Sequence, residues 1–136
     1  MPLKDVMNHD VEMIHPEATL QEAALRMRAR RISSVLVRDG GQFVGILTER
    51  DIVVRAAADG RHPTTTKVRD VMTPEIFWCG EDDDVMAAVK FMQEKQIRHL
   101  AVFNHSQQLV GIVSLLALAV HLGDETLTGA AIRWPA

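Results

Sequence analysis

The sequence predicts an α/β fold of the α+β type, assembled from two β-α-β-β-α repeats related by a pseudo-twofold axis. Three observations carry this reading. Lys4-Asp5-Val6-Met7 returns as Arg69-Asp70-Val71-Met72, 65 residues on (72 − 7). Leu20, Ala23, Ala24 and Met27, spaced as one face of a helix, return as Val85, Ala88, Val89 and Met92 at the same offset. Phe43-Val44-Gly45-Ile46-Leu47-Thr48 returns as Leu109-Val110-Gly111-Ile112-Val113-Ser114 at 66 (111 − 45), so one residue is inserted between these blocks. A unit of roughly 60 residues has difficulty closing a core alone. Two copies packed together can close one, and the cleft this creates is where function is sought. The expected boundaries are 4–60 for the first repeat, 61–67 for a linker and 68–122 for the second repeat. Residues 123–136 form a tail without an assigned role.

The elements follow in order. Val11 to Ile14 reads as a short strand stopped by Pro16. Thr19-Leu20-Gln21-Glu22 is a capping box, in which the Thr19 hydroxyl takes the Glu22 amide and starts the first helix. Ser34 to Val37 and Phe43 to Leu47 are strands joined at Asp39-Gly40-Gly41, because glycine accepts positive φ at no steric cost. Thr48 opens a helix to about Ala58, and Gly60 ends it. Arg61-His62-Pro63-Thr64-Thr65-Thr66 is a polar connection. The second copy replays this order. Ile76 to Cys79 is a strand, and Asp84 caps a helix from Val85 to about Lys95. Leu100–Phe103 and Leu109–Val113 form a hairpin, and Ser114 opens a last helix capped by Gly123.

Composition removes several function classes. Hydrophobic residues make up 47% and charged residues 24%, a globular balance that argues against disorder. A net charge of −3 argues against nucleic-acid binding by bulk charge. Cys79 is the sole cysteine, so neither an intrachain disulfide nor a cysteine zinc cluster can form. The longest apolar run, Leu109 to Leu122, is too short to span a bilayer, and no signal-peptide pattern opens the chain. A cytoplasmic location without membrane association is the expectation. The six histidines lack ligand spacing, and no nucleophile–base pair or glycine-rich phosphate loop is present. No catalytic residue and no metal site are therefore expected, and no cofactor is required.

The repeated order resembles the cystathionine-β-synthase (CBS) domain, over about residues 4–122. The motifs are a Met-Thr lead-in, as at Met72-Thr73, and a helix start resembling Glu17-Ala18-Thr19-Leu20. The strand-to-helix turn Val44-Gly45-Ile46-Leu47-Thr48-Glu49-Arg50-Asp51 completes the set. The resemblance implies a stand-alone tandem pair, or Bateman module, whose clefts hold an adenosine-containing ligand. Such a chain is a regulatory sensor and not an enzyme, acting in trans on an unidentified effector protein. AMP, ADP and ATP are the first ligand candidates, with NAD and S-adenosylmethionine as others. The rival reading is a ligand-free interaction and oligomerisation module. Apolar faces carrying Ile52, Val53, Leu118 and Val120 suggest a homodimer, as CBS pairs commonly form.

The resemblance also nominates site residues. Thr48 would contact ribose or phosphate at a helix N-terminus, and Asp51 would hold the ribose hydroxyls. The same two residues also read as a plain helix cap, and both roles can hold at once. In the second copy Ser114 keeps the hydroxyl, but Ala117 stands where the carboxylate would be, so that cleft looks disabled. Arg98 and His99 sit where basic residues of the family meet phosphates, while the first copy has Ser33 and Ser34 there. A solvated arginine and a partly buried histidine are the plain alternative. Met13 and Trp78 occupy equivalent places on the first strand of each repeat. Met13 would offer a soft wall to an adenine, and Trp78 would stack on a base or fill its own cleft, filling being favoured. Val11, Val35 and Ile46 are apolar neighbours of the first site, or ordinary core. Arg26, Arg28, Arg30 and Arg31 form a basic stretch, read as a solvated face that suits a helix C-terminus.

Overall fold

The computed structural model of the protein describes residues 1–123; the expected tail from 124 onward lies outside the described residues. The chain forms two compact units. One spans Glu12–Ile76, and the other joins Met1–Val11 to the chain from Phe77 onward.

In the Glu12–Ile76 unit, β1 (Met13–Ile14) runs parallel to β2 (Ser34–Asp39), which pairs antiparallel with β3 (Gln42–Thr48). The β2–β3 turn places Gly40 at φ 61°, in the left-handed region glycine enters freely. Helix α1 (Leu20–Arg30) crosses between β1 and β2, and the Thr19 hydroxyl accepts the Glu22 amide at 3.2 Å. Its buried stripe is Leu20, Ala23 and Met27; Ala24, expected on that stripe, is exposed. These side chains pack with Ile14, Val35, Val37, Leu47 and Ala56. The 3-10 turn Val68–Asp70 adds Val68 and Val71 to the same core. Glu12 binds Arg26 at 3.2 Å and Arg30 at 2.8 Å, so half of the basic stretch is spent within the unit. Arg31 is the left-handed C-cap of α1.

Helix α2 departs from the expected regular helix. Its first turn is α-helical (Glu49–Asp51), and Ile52–Ala57 continues it as a π-helix. The wider turn closes the Ala58 amide on the Val53 carbonyl at 3.0 Å and buries Ala56, five residues after the buried Asp51.

The second unit repeats the plan. Strand β4 (Trp78–Gly80) is parallel to β5 (His99–Phe103), which is antiparallel to β6 (Leu109–Ser114). Helix α3 (Val85–Lys95) buries Val85, Ala88, Val89 and Met92, and the Asp84 side chain caps it by accepting the Met86 amide at 3.0 Å. Helix α4 (Leu115–Leu122) ends at Gly123 with φ 66°. Leu118, expected on an open face, is buried in this core at 1% exposure.

The lead-in segments are exchanged relative to the sequence repeats. Met1–Val11 belongs to the unit of the second repeat. Leu3 and Met7 fill that core, and Asn8 pairs with Ile112 through backbone bonds of 2.9 and 3.0 Å. Thr73 of the other lead-in pairs with Ile46 of the first repeat, by two bonds of 2.9 Å. The glycine of each strand explains the close approach. A Cβ on Gly45 would stand 2.5 Å from the Thr73 carbonyl oxygen, and one on Gly111 would stand 2.6 Å from the Met7 sulfur.

Candidate functional site

The end of β3 builds a polar cluster in the Glu12–Ile76 unit. Thr48 leaves the strand in extended conformation and caps α2, accepting the Asp51 amide at 3.2 Å. The Asp51 carboxylate answers by accepting the Thr48 amide at 3.0 Å, so the full capping box forms. The Glu49 amide is bound by the Ser33 carbonyl at 3.0 Å. Two of the first helix amides are thus satisfied internally, which narrows what this N-terminus offers to an anion.

Asp51 is only 7% exposed, an unusual setting for a carboxylate. The Thr73 hydroxyl donates to it at 3.2 Å on Oδ1 and 3.5 Å on Oδ2, and the Arg55 guanidinium lies 3.7 Å from Oδ1. Arg55 also donates to the Met72 carbonyl at 3.1 Å. Thr48, Asp51, Arg55 and Thr73 therefore form one network that ties α2 to the lead-in. Sequence reasoning found Thr48 and Asp51. It noted Thr73 only as part of a motif and missed Arg55, although a basic residue four positions after an acid on a helix is a readable pair. No local signal connects Thr73 to Asp51, 22 residues apart in the chain.

The remaining nominated residues divide. Ile46 is half-buried on β3 beside Thr73, with which it pairs. Met13 pairs in register with Leu36, and its sulfur accepts from Arg38 at 3.7 Å. Val35 is fully buried among the core residues packed with α1. Strand alternation puts its side chain there, so it is core and not a wall of the site.

Ser114, Trp78, Arg98 and His99 belong to the other unit. The Ser114 hydroxyl caps α4 by accepting the Ala117 amide at 3.2 Å, but no acid answers it. Asn8 occupies the place of Thr73. Trp78 does not fill a cleft: it is 62% exposed and lies edge-on to Phe103, ring centroids 5.8 Å apart. His99 pairs with Ser114 across the hairpin. Burial, with a smaller push from the neighbouring Arg98 charge, lowers its imidazole to about 4. At neutral pH His99 is uncharged, so of this pair only Arg98 brings positive charge. The Cys79 thiol is pushed up to about 12, chiefly by burial, and stays protonated. Among the described residues no cluster of three or more His, Cys, Asp or Glu suits a metal ion. Among the same residues no helix is long and apolar enough to cross a membrane.

Two repeated strand–helix units closed by Gly45 and Gly111 agree with what comparison finds: the CBS domain model matches residues 3–57 and again 68–124. The chain belongs to the CBS-domain family. CBS pairs are generally regulatory, non-catalytic modules. A CBS domain-containing protein of Bacillus subtilis is 35% identical over 130 residues, 96% of this chain and 91% of that protein. An uncharacterized protein of Methanopyrus kandleri is 36% identical over 112 residues, which are 82% of this chain but 57% of that relative's length. A conserved CBS domain protein from Thermoplasma acidophilum superposes with a TM-score of 0.84 at 26% identity, over 98% of this chain and 76% of that one. A CBS domain pair crystallised with 5′-methylthioadenosine and S-adenosyl-L-methionine shares the fold, with a TM-score of 0.79 at 24% identity over 92% and 98% of the chains.

Proposed function

We propose that this CBS pair is a regulatory sensor that binds one adenine nucleotide or related adenosyl ligand per chain and acts in trans on a protein partner. The observation that carries the reading is the asymmetry at the strand-to-helix turns. A buried carboxylate, Asp51, stands beside two hydroxyls, Thr48 and Thr73, in one unit. The other unit has Ser114, Ala117 and Asn8 in those places. A carboxylate accepts both hydroxyls of a ribose, and an alanine accepts neither. Ile46 and Met13 supply apolar surface for the base. Linkage provides the mechanism: a ligand that binds one conformation of the chain better than another changes partner affinity by the same coupling energy.

A thermal-shift screen against AMP, ADP, ATP, NAD and S-adenosylmethionine tests the reading. A ligand at 100 times its Kd adds roughly 2.7 kcal/mol. Asp51→Ala should abolish most of that shift, because a hydrogen bond to a charged group contributes about 1.5–3 kcal/mol. No shift with any of the five would remove the ligand reading and leave the interaction module. We also infer a homodimer. Val53 and Val54 on α2 and Leu116 and Val120 on α4 are between 48% and 67% exposed, and apolar side chains so placed favour self-association.

A further inference from the structure

We propose that Thr73 is an internal competitor for the Asp51 carboxylate, so that ribose binding releases the lead-in segment around Thr73. The inference rests on the ligand reading above and concerns how the same site is regulated. A carboxylate has about four acceptor positions. In Asp51, Oδ2 takes the Thr48 amide at 3.0 Å and shares the Thr73 hydroxyl at 3.5 Å. Oδ1 takes the Thr73 hydroxyl at 3.2 Å and faces Arg55 at 3.7 Å. The Thr48 amide and the one Thr73 hydroxyl fill two of these positions and Arg55 faces a third, so a ribose diol with two donors needs one position more than is open, on a group 7% exposed.

One of the present donors must leave. The Thr48 amide is fixed by the reciprocal cap, in which the Asp51 amide also returns to Thr48. Arg55 keeps a second anchor on the Met72 carbonyl at 3.1 Å. The Thr73 hydroxyl turns about one side-chain bond, so it is the donor that yields at least cost. Once it leaves, Thr73 is held to β3 only by its two backbone bonds with Ile46, and four residues later the chain enters the other unit at Phe77. Occupancy of Asp51 is thereby coupled to the freedom of residues 73–76. The second repeat lacks the device, because Asn8 and Ala117 replace both partners.

The test is calorimetry with AMP and 2′-deoxy-AMP on wild-type protein, Thr73→Val, Thr73→Ser and Asp51→Ala, with hydrogen exchange at the Thr73 and Ile46 amides. Thr73→Val keeps the shape and removes the competitor. It should bind AMP about tenfold tighter than wild type, or 1.4 kcal/mol, with a smaller gain for 2′-deoxy-AMP. Thr73→Ser should retain wild-type affinity. AMP should speed exchange at Thr73 and Ile46 in wild-type protein. Weaker or unchanged AMP binding by a folded Thr73→Val, where Asp51→Ala still abolishes binding, overturns the competition and leaves the ligand reading intact. Failure of wild-type protein to bind AMP, or full binding by Asp51→Ala, overturns both.

Discussion

Replacing Gly45 with alanine isolates the contact that holds the exchanged lead-in on its unit. The new Cβ would stand 2.5 Å from the Thr73 carbonyl oxygen and 2.9 Å from the Met72 sulfur. Ordinary contact begins near 3.4 Å, so the carbonyl must retreat by about 0.9 Å (3.4 − 2.5). It accepts the Ile46 amide at 2.9 Å, and the Thr73 amide returns to Ile46 at the same distance. A displacement of that size costs one or both bonds, at about 0.5–1.5 kcal/mol each, besides overpacking of about 1–3 kcal/mol. The stiffer unfolded chain of the alanine variant offsets about 0.4–1 kcal/mol. The net expectation is a loss of about 2–4 kcal/mol, measured by urea unfolding, with a Tm lower by roughly 10 °C. Gly111→Ala is the matched control. Its nearest obstacle is the Met7 side chain at 2.6 Å, which can swing aside, and the nearest backbone atom is the Asn8 oxygen at 3.0 Å. It should cost at least about 1 kcal/mol less, since a flexible thioether repacks easily. Equal losses in the two variants, or a Gly45→Ala loss below about 0.5 kcal/mol, would refute the claim that backbone contact at Thr73 locks this segment.

Three other outcomes follow from the same geometry. The His99 imidazole is lowered from 6.5 to about 4 by burial, so the unfolded chain binds the extra proton between those values. Stability should therefore fall as pH drops from about 6.5 to 4, by up to about 3 kcal/mol; a His99→Gln variant whose unfolding free energy keeps the same slope would exclude His99 as its source. Ala117→Asp completes a capping box with Ser114 and should stabilise α4 by about 0.5–1 kcal/mol in thermal melts. It should also create a second, weaker AMP site by calorimetry, and a stoichiometry fixed at one would mean that the acid alone does not make the site. Val120→Asp should convert a dimer to monomer in light scattering without loss of fold, because Val120 is 67% exposed. Leu118→Ala, at a position 1% exposed, should instead cost about 2–5 kcal/mol of stability; the opposite pattern would reverse the assignment of the two α4 faces.

The repeat, the two helical stripes apart from Ala24, the hairpins and the capping residues were legible in the sequence because each depends on neighbours a few positions apart. Thr48 and Asp51 cap α2 as their spacing implies, and Gly40 and Gly123 take the positive φ their places require. Tertiary structure alone decided what lies beyond that range. Ile46 and Thr73 are 27 residues apart (73 − 46), and only folding sets the Thr73 carbonyl against a strand that has no side chain at Gly45. The same placement delivers the Thr73 hydroxyl to Asp51 and exchanges the lead-ins between units. The sequence left Val35 as either a neighbour of the site or ordinary core, and only the packing of its side chain with Leu20, Ala23 and Met27 decided for core. The wide winding after Ile52 was likewise unreadable, since an α-helix and a π-helix share the same local pattern of residues. Burial, not composition, set His99 neutral: the sequence supplied an imidazole, and the surrounding fold removed the water that would have charged it.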